Sequence, residues 1–109
     1  GTPGGSRIIT MVLLGTLEFA GDAPASQIVS RGRYHHQYLP DVIQFEPGAF
    51  DTLTQQALNQ MGYTLKAVDH NYGNMQAIII NKQTGKVEAA SDPRGVGEAK
   101  VLALPSTAE

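Results

Sequence analysis

The stretch "GTPGGSRIITMVLLGTLEFAG" (residues 1–21) decides the fold, because it joins a glycine loop directly to a long apolar segment. Ser6 is a candidate N-cap and Gly21 a candidate C-terminal stop, so the pattern predicts a helix between them. The segment is apolar on most sides, which is typical of a buried helix. Ile8 and Ile9 would also suit a strand, but the length of the segment and its flanking glycines favour the helix.

The following segments predict two more helices and several strands. "DAPASQIVSRG" (22–32) predicts a short helix with Asp22 as cap and Gly32 as terminator, and "FDTLTQQALNQMG" (50–62) predicts a helix capped by Asp51. Four stretches are typical of strands: "RYHHQYLPDVIQFEPG" (33–48, divided by Pro40), "YTLKAV" (63–68), "MQAIIIN" (75–81) and "KVEAAS" (86–91). The glycine-containing turn "KQTG" predicts a hairpin between the last two strands.

This order of elements predicts an α+β fold in which helices pack on a mainly antiparallel sheet. No internal repeat appears, and no linker divides the chain, so we expect residues 1–109 to form a single domain. The tail from 95 to 109 shows no pattern that assigns it a structure. The first methionine of the chain is Met11, inside the apolar run. We therefore expect Gly1 to follow a proteolytic cleavage or a deliberate truncation.

Composition excludes several classes of function. The net charge is −2 and only 17% of the residues are charged, so the chain has no basic stripe and we expect no nucleic-acid partner. Cysteine is absent, which excludes disulfides, thiolate metal sites and a cysteine nucleophile but leaves the compartment open. The apolar run from Ile8 to Ala20 is shorter than the roughly 20 residues of a bilayer-spanning helix, so we expect no membrane span.

The paired glycines Gly4 and Gly5 are the strongest candidate for chemistry. Without β-carbons, their consecutive N–H groups can approach a ligand closely, and the helix that follows adds its positive end, so such a loop suits an anion. A phosphate cradle and an oxyanion hole are the two functional alternatives, and a simple helix-entry turn is the structural one. The lysine and the spacing of the known phosphate and dinucleotide loops are absent.

Three stretches occur in an order and spacing that resemble a known family: "GTPGGSRIIT" (1–10), "RYHHQYLPDVIQFEPG" (33–48) and "ASDPRG" (90–95). From Gly1 to about Arg94 the chain resembles the C-terminal part of the small subunit of γ-glutamyltranspeptidases. The resemblance implies the αββα fold of N-terminal nucleophile hydrolases, whose precursors cleave themselves before a catalytic threonine. It also implies acyl transfer, in which that threonine attacks a γ-glutamyl amide and water or an amine acceptor resolves the acyl-enzyme.

The resemblance assigns Gly4 and Gly5 to the oxyanion hole of this reaction. It places the nucleophilic threonine and most substrate-binding residues upstream of Gly1, with a further arginine on the large subunit. We expect Thr2 not to be the nucleophile, because the resemblance places it in the glycine loop and the mechanism needs the hydroxyl and the free amine on one residue. We therefore expect this chain to be inactive alone. Its expected partners are the rest of the small subunit, the large subunit and a glutathione-like substrate, without a cofactor.

Arg33 and Arg94 match arginines that the resemblance implies are ion-pair anchors supporting maturation. The planar guanidinium suits a bidentate pair with a carboxylate such as Asp92 or one on a missing partner. The neighbouring His35 and His36 should point to opposite faces of a strand, which favours packing or hydrogen bonding over a shared metal, so we expect no metal site. The sequence departs from the family pattern at "SRGR" (30–33), at Tyr38 and beyond Arg94.

Two expectations remain at the level of the whole chain. A binding module for small anions that has lost its chemistry is the alternative function. As part of a larger fold, the chain should expose apolar patches larger than those of ordinary monomers, with dimerisation or dye binding as the result. Bacterial relatives imply a periplasmic or secreted location, although nothing in the residues fixes the compartment.

Overall fold

The computed structural model describes residues 1–103, which form three α-helices and five strands. After a short 3-10 turn at Gly5–Arg7, the helices and strands follow in this order: α1 (Ile8–Ala20), α2 (Ala25–Ser30), β1 (Tyr34–His36), β2 (Ile43–Phe45), α3 (Thr52–Gln60), β3 (Leu65–Ala67), β4 (Gln76–Ile80) and β5 (Val87–Ser91). The predicted α+β class and the predicted order of elements are confirmed.

The strands form two sheets rather than the one expected. β1 pairs antiparallel with β2, and β4 with β5, but β2 and β3 are parallel, with Ile43 opposite Leu65. Helix α3 lies between β2 and β3 in the chain, and a crossover of this kind is what joins parallel neighbours. Antiparallel pairing still predominates, as predicted.

Two predicted helix starts are wrong and one is confirmed. Ser6 lies inside the 3-10 turn, so α1 begins later, at Ile8. Asp22 has a φ of 65° and belongs to the preceding turn; Pro24 stands at the N-cap of α2. Asp51 does cap α3, because its side chain accepts a hydrogen bond of 2.7 Å from the amide N–H of Thr54.

The end of α2 also differs from the prediction. Helix α2 stops at Ser30, two residues before Gly32. A β-carbon on Gly32 would lie 2.8 Å from Cα of Ala49. The glycine therefore permits a close approach of two backbone segments instead of ending the helix.

The core lies where α1 and α2 meet the β4–β5 hairpin. Its buried residues come from both helices, from the hairpin and from the segment before it: Met11, Ala25, Ile28, Val29, Tyr72, Met75 and Ala90. Helix α1 contributes only Met11, so the expectation of a buried helix is wrong for this chain. Side chains along its other side are exposed, Leu13 by 54% and Leu17 by 58%, because α2 and β1 cover a single stripe of the helix.

None of the helices in residues 1–103 combines the length and the apolar character that a membrane span requires. The sequence assigns no structure to the tail, residues 95–109. The tail has no regular element up to residue 103, and its last six residues lie outside the described part of the chain.

Candidate functional site

The glycine loop has a conformation that requires glycine. Gly4 has φ 148° and ψ 17°, and Gly5 has φ 60°. A β-carbon on Gly4 would also lie 2.5 Å from Cε of the buried Met11, whereas one on Gly5 would meet no atom within 4 Å. The first glycine is therefore fixed by both backbone conformation and packing, and the second by conformation alone.

The carbonyl groups of Gly4 and Gly5 accept hydrogen bonds within residues 1–103, whereas the N–H groups of the two glycines donate none there. The Gly4 carbonyl accepts from the amide N–H of Arg7 at 3.2 Å, and the Gly5 carbonyl accepts from that of Ile8. Both glycines are exposed, and their own N–H groups have no acceptor among residues 1–103. Two neighbouring donors therefore remain free for a ligand at the start of the helical segment.

The residues before the loop hold it in place. Gly1 and Gln76 exchange two backbone hydrogen bonds, of 2.9 Å from the terminal amine to the Gln76 carbonyl and 2.8 Å in return. The hydroxyl of Thr2 accepts a 3.0 Å hydrogen bond from the amide N–H of Asn74 and donates to the carbonyl of Pro3. Thr2 therefore positions the loop.

A cleft of about 430 Å³ opens beside the glycine loop, between the loop and the β1–β2 hairpin. His35 lies on its wall and is 6% exposed, with Nδ1 2.7 Å from the Thr10 hydroxyl and Nε2 2.7 Å from Oε1 of Gln37. His36 points away and pairs with Asp41 at 2.7 Å. The two histidines diverge and are hydrogen bonded, as predicted.

No set of three histidine, aspartate or glutamate side chains in residues 1–103 is arranged to hold a metal ion.

A second cluster, here called the charge network, consists of Arg33, Glu46, Asp92 and Arg94. Arg33 is 3% exposed; its Nη2 lies 2.5 Å from Oδ2 of Asp92, and its Nη1 donates to the Tyr72 carbonyl at 2.6 Å. The Met75 N–H also donates to Oδ2 of Asp92, at 2.8 Å. This cluster of two cations and two anions is balanced in charge, which a buried ionic group requires.

Arg94 makes the bidentate pair that its chemistry predicted, but with Glu46. Its Nε and Nη2 donate to the two carboxylate oxygens of Glu46 at 2.7 and 2.5 Å, while Nη1 reaches Oδ1 of Asp92 at 3.0 Å. Glu46 is 1% exposed and also accepts from the backbone N–H groups of Arg33 and Tyr72. Glu46 therefore joins β2 to both arginine-bearing segments.

The hydrogen bonds of the network shift two ionisation equilibria. Burial alone would raise the pKa of Asp92, but hydrogen bonds from the Met75 and Arg94 amides and from both guanidinium groups outweigh it and lower the pKa below its ordinary value. Burial alone would lower the pKa of Arg94, but its bonds to Glu46 and Asp92 raise it. Both groups are therefore held in their charged forms.

Tyr72 connects the charge network to the glycine loop. Its backbone N–H donates to Glu46, its carbonyl accepts from Arg33, and its ring lies 4.5 Å below the guanidinium of Arg7. Arg7, the last residue of the 3-10 turn, also donates to Oε1 of Gln44 at 2.7 Å. The turn that carries the free amides is thus packed against the network.

The residues proposed from sequence therefore fall into two groups. Gly4 and Gly5 lie together on the cleft, and Arg33, Asp92 and Arg94 lie together in the charge network. Sequence reasoning missed Glu46 and the link through Tyr72. The available signal for Glu46 was its place directly after the apolar Phe45 in "QFEPG", at the end of a predicted strand. A glutamate that is buried at such a position seldom lacks a cationic partner, so the position could have predicted an arginine contact.

Solved structures of γ-glutamyltranspeptidases share this fold, and two of them illustrate the match. A γ-glutamyltranspeptidase from Pseudomonas nitroreducens, complexed with L-DON, has a TM-score of 0.81 and 37% identity, over 94% of this chain and 54% of that one. A Helicobacter pylori γ-glutamyltranspeptidase mutant has a TM-score of 0.80 and 34% identity, over 87% and 52%. The α+β layers and the glycine loop are thus a portion of an N-terminal nucleophile hydrolase. A sequence profile described as gamma-glutamyltranspeptidase matches residues 1–102, and the chain belongs to that family.

Curated relatives agree with this assignment. The glutathione hydrolase proenzyme of Pseudomonas aeruginosa is 40% identical over 107 residues, which are 94% of this chain and 18% of the relative. The glutathione hydrolase proenzyme of Escherichia coli is 35% identical over 101 residues, or 90% of this chain and 17% of the relative. The chain therefore spans less than a fifth of the length of these relatives.

Proposed function

We propose that this chain provides the oxyanion hole of a γ-glutamyl-transferring or γ-glutamyl-hydrolysing enzyme through the N–H groups of Gly4 and Gly5. When a nucleophile attacks an amide carbonyl, the carbonyl oxygen becomes negatively charged in the tetrahedral intermediate. Two fixed donors at that position stabilise the transition state without reorganising. The observation that carries the proposal is the pair of exposed N–H groups that have no acceptor among residues 1–103, set in a loop whose carbonyls already accept hydrogen bonds.

The proposed reaction is acyl transfer in two steps. A threonine hydroxyl from the rest of the small subunit attacks the γ-carbonyl of a glutathione-like substrate and passes its proton to the amine leaving group, which leaves an ester. Water or an acceptor amine then attacks the ester and returns the proton to the threonine. The relatives' name, glutathione hydrolase proenzyme, supports both the substrate class and maturation by cleavage. The 109 residues by themselves would be inactive, because none of them combines the nucleophile with its base.

The charge network has a separate proposed role, which is to anchor the mature heterodimer formed with the large subunit. Arg33 and Arg94 tie β2, the segment around Tyr72 and the end of β5 into one unit. Their guanidinium groups do not line the cleft beside the glycine loop. We therefore assign them to positioning and maturation rather than to substrate contact, with Asp92 as their shared carboxylate.

An anion-binding module is less well supported by the same cleft. A free cation would strengthen such a site, but the guanidinium of Arg7 is already engaged by Gln44 and by the Tyr72 ring. Binding of inorganic phosphate by the isolated chain would favour this alternative.

The function can be tested in a chimera in which this chain replaces the matching segment of the E. coli relative. The parent chimera should release p-nitroaniline from γ-glutamyl-p-nitroanilide, and the isolated chain should not. Gly4→Ala cannot keep φ 148° and must move the loop, so losing one donor should lower kcat by about 10²–10³ with a smaller effect on KM.

Gly85→Ala is the matched control, since Gly85 also has a positive φ, of 73°, but lies in the β4–β5 turn with open space around it. Cleavage of the precursor into two subunits reports folding in every variant. A Gly4→Ala chimera that is cleaved normally and turns over at the parental rate would contradict the oxyanion assignment. Product release by the isolated chain above buffer would contradict its proposed inactivity.

A further inference from the structure

The β1–β2 side of the cleft carries three polar side chains, those of His35, Gln37 and Gln44. Both ring nitrogens of His35 are already hydrogen bonded, to Thr10 and to Gln37. Both polar ends of Gln37 are also used, because its oxygen faces His35 and its amide nitrogen donates to the Leu39 carbonyl at 2.8 Å. Gln44 is therefore the polar side chain of this wall that remains able to bind a ligand.

The contact with Arg7 fixes the orientation of the Gln44 side chain. Nη2 of Arg7 donates to Oε1 of Gln44 at 2.7 Å, and a guanidinium has donors only, so the amide oxygen must be the atom that faces it. The guanidinium is itself held over the Tyr72 ring at 4.5 Å. The amide nitrogen of Gln44 therefore points away from Arg7, and it has no acceptor among residues 1–103.

The cleft lacks the charges that a γ-glutamyl group requires. That group carries an α-ammonium and an α-carboxylate, and an ammonium that leaves water needs an anionic partner. None of the residues within 1–103 that line the cleft is an aspartate or a glutamate, and the guanidinium of Arg7 is already engaged. The peptide on the other side of the scissile bond needs a donor for its carbonyl oxygen, which Gln44 has.

We propose that the cleft binds the amine component of the reaction, which is first the leaving peptide of the donor substrate and then the acceptor, and that Gln44 donates to its peptide carbonyl. The inference rests on the proposed function, because it places this component beside the amides of Gly4 and Gly5, which line the same cleft. The cleft volume of about 430 Å³ lies within the roughly 300–1,000 Å³ of small-molecule sites. Arg7 is a positioning residue that acts through Gln44.

Two donor substrates with the same γ-glutamyl group and different leaving amines isolate this role. Glutathione releases a dipeptide that has a carbonyl for Gln44, whereas γ-glutamyl-p-nitroanilide releases an aromatic amine that has none. In the chimera described above, Gln44→Leu and Gln44→Glu should lower kcat/KM for glutathione hydrolysis by about tenfold, as expected for one lost hydrogen bond. The value for the p-nitroanilide should stay within about twofold of the parent. Gln44→Glu keeps an acceptor for Arg7 and so removes only the donor.

The acceptor reaction gives a second readout. The KM for glycylglycine as acceptor should rise by about tenfold in both Gln44 variants, for the same reason. Gln83→Leu and Gln83→Glu, in the exposed turn between β4 and β5, are the matched controls and should change neither value. Cleavage of the precursor again reports folding.

Arg7→Met tests the positioning role. It should lower the ratio of the two kcat/KM values, glutathione over p-nitroanilide, as Gln44→Leu does. The ratio cancels any effect of Arg7 on the glycine loop that both donors share. The double variant should show no lower ratio than either single variant, because both changes remove the same oriented donor.

An unchanged ratio in both Gln44 variants would overturn the proposal. An equal fall in kcat/KM for both donors would also overturn it, because Gln44 would then act on a step that the two donors share. Additive effects of Arg7→Met and Gln44→Leu would overturn the positioning role of Arg7. The oxyanion assignment fails separately, since it is tested by the rate of the Gly4→Ala chimera on the p-nitroanilide alone.

Discussion

The guanidinium of Arg94 holds the carboxylate of Glu46 by two hydrogen bonds, of 2.7 and 2.5 Å, across 48 residues of sequence. Glu46 is 1% exposed and lies just beyond β2, while Arg94 follows β5. The pair therefore ties together the two sheets, which share no strand. Its geometry leads to the first of five predictions.

Glu46→Gln should lower the free energy of unfolding by about 3–5 kcal/mol, because it removes the bidentate carboxylate and leaves the largely buried guanidinium of Arg94 with Asp92, at 3.0 Å, as its remaining charge partner. Urea unfolding measures the change. Glu18→Gln is the matched control: its partner Arg31 is 62% exposed, and a surface pair of this kind contributes less than about 1 kcal/mol. Equal losses in the two variants would mean that the Arg94–Glu46 pair contributes no more than a surface contact.

The stability of the chain should fall in acid because the Asp92 carboxylate becomes protonated. Hydrogen bonds hold the folded pKa of Asp92 below its ordinary value despite burial, so its contribution is complete above the unfolded carboxyl pKa of about 3.9 and is lost as the pH falls below it. Asp92→Asn should be less stable at neutral pH and should lose less on acidification between about pH 5 and 2. The measurement is the unfolding midpoint against pH, with exposed Asp22→Asn as control. Parallel curves for wild type and Asp92→Asn would refute the assignment.

Tyr72→Phe should be tolerated although Tyr72 is buried. The Tyr72 hydroxyl has no hydrogen-bond partner among residues 1–103, so its removal should change the free energy of unfolding by at most about 1 kcal/mol, in either direction. Tyr72→Ala also removes the ring beneath Arg7 and should cost about 3–5 kcal/mol. A Phe variant as unstable as the Ala variant would show that the hydroxyl has an essential partner.

Gly73→Ala should disturb the junction between the loop and the network. Gly73 has φ 86°, and a β-carbon there would lie 2.6 Å from Nη1 of Arg33 and from Sδ of Met11. Gly85→Ala, at φ 73° and in open space, should cost only the backbone strain of about 1–2 kcal/mol. Thermal unfolding of both variants checks the difference. Equal midpoints would mean that the side chains around Arg33 adjust to the added β-carbon without a further loss in the free energy of unfolding.

The isolated chain should bind a hydrophobic dye through the exposed side of α1. Ile9, Leu13 and Leu17 form a stripe along the helix and are 79%, 54% and 58% exposed. Replacing all three with glutamine should reduce dye fluorescence and any dimerisation seen by gel filtration while leaving the unfolding midpoint nearly unchanged. A large fall in the midpoint would place these side chains in the core of the chain itself.

Local chemistry made much of this fold predictable. Asp51 specified the start of α3 because a capping side chain acts within one turn of the helix. The glycine of "KQTG" specified the β4–β5 hairpin, and Gly85 has the positive φ that such a turn needs. Within the site, "SDPRG" placed Asp92 and Arg94 close enough in sequence for their contact to be anticipated.

The remaining features depend on contacts between distant segments. Glu46 can contact Arg94 only when β2 and β5 are packed in the folded chain. No residue spacing in the sequence predicts that contact. The parallel pairing of β2 with β3 likewise follows from how α3 crosses between them. The apolar pattern of α1 predicts a helix but not which of its sides is covered, so the exposure of Leu13 and Leu17 could not be foreseen.

The central claim, that the amides of Gly4 and Gly5 bind a developing oxyanion, is tested most directly by a crystal structure of the active chimera with a γ-glutamyl phosphonate bound to its catalytic threonine. The phosphonate imitates the tetrahedral intermediate. We predict one phosphonyl oxygen at about 2.7–3.1 Å from the backbone nitrogens of both glycines. A phosphonyl oxygen held by other donors, with both glycine nitrogens beyond hydrogen-bonding distance, would contradict the account.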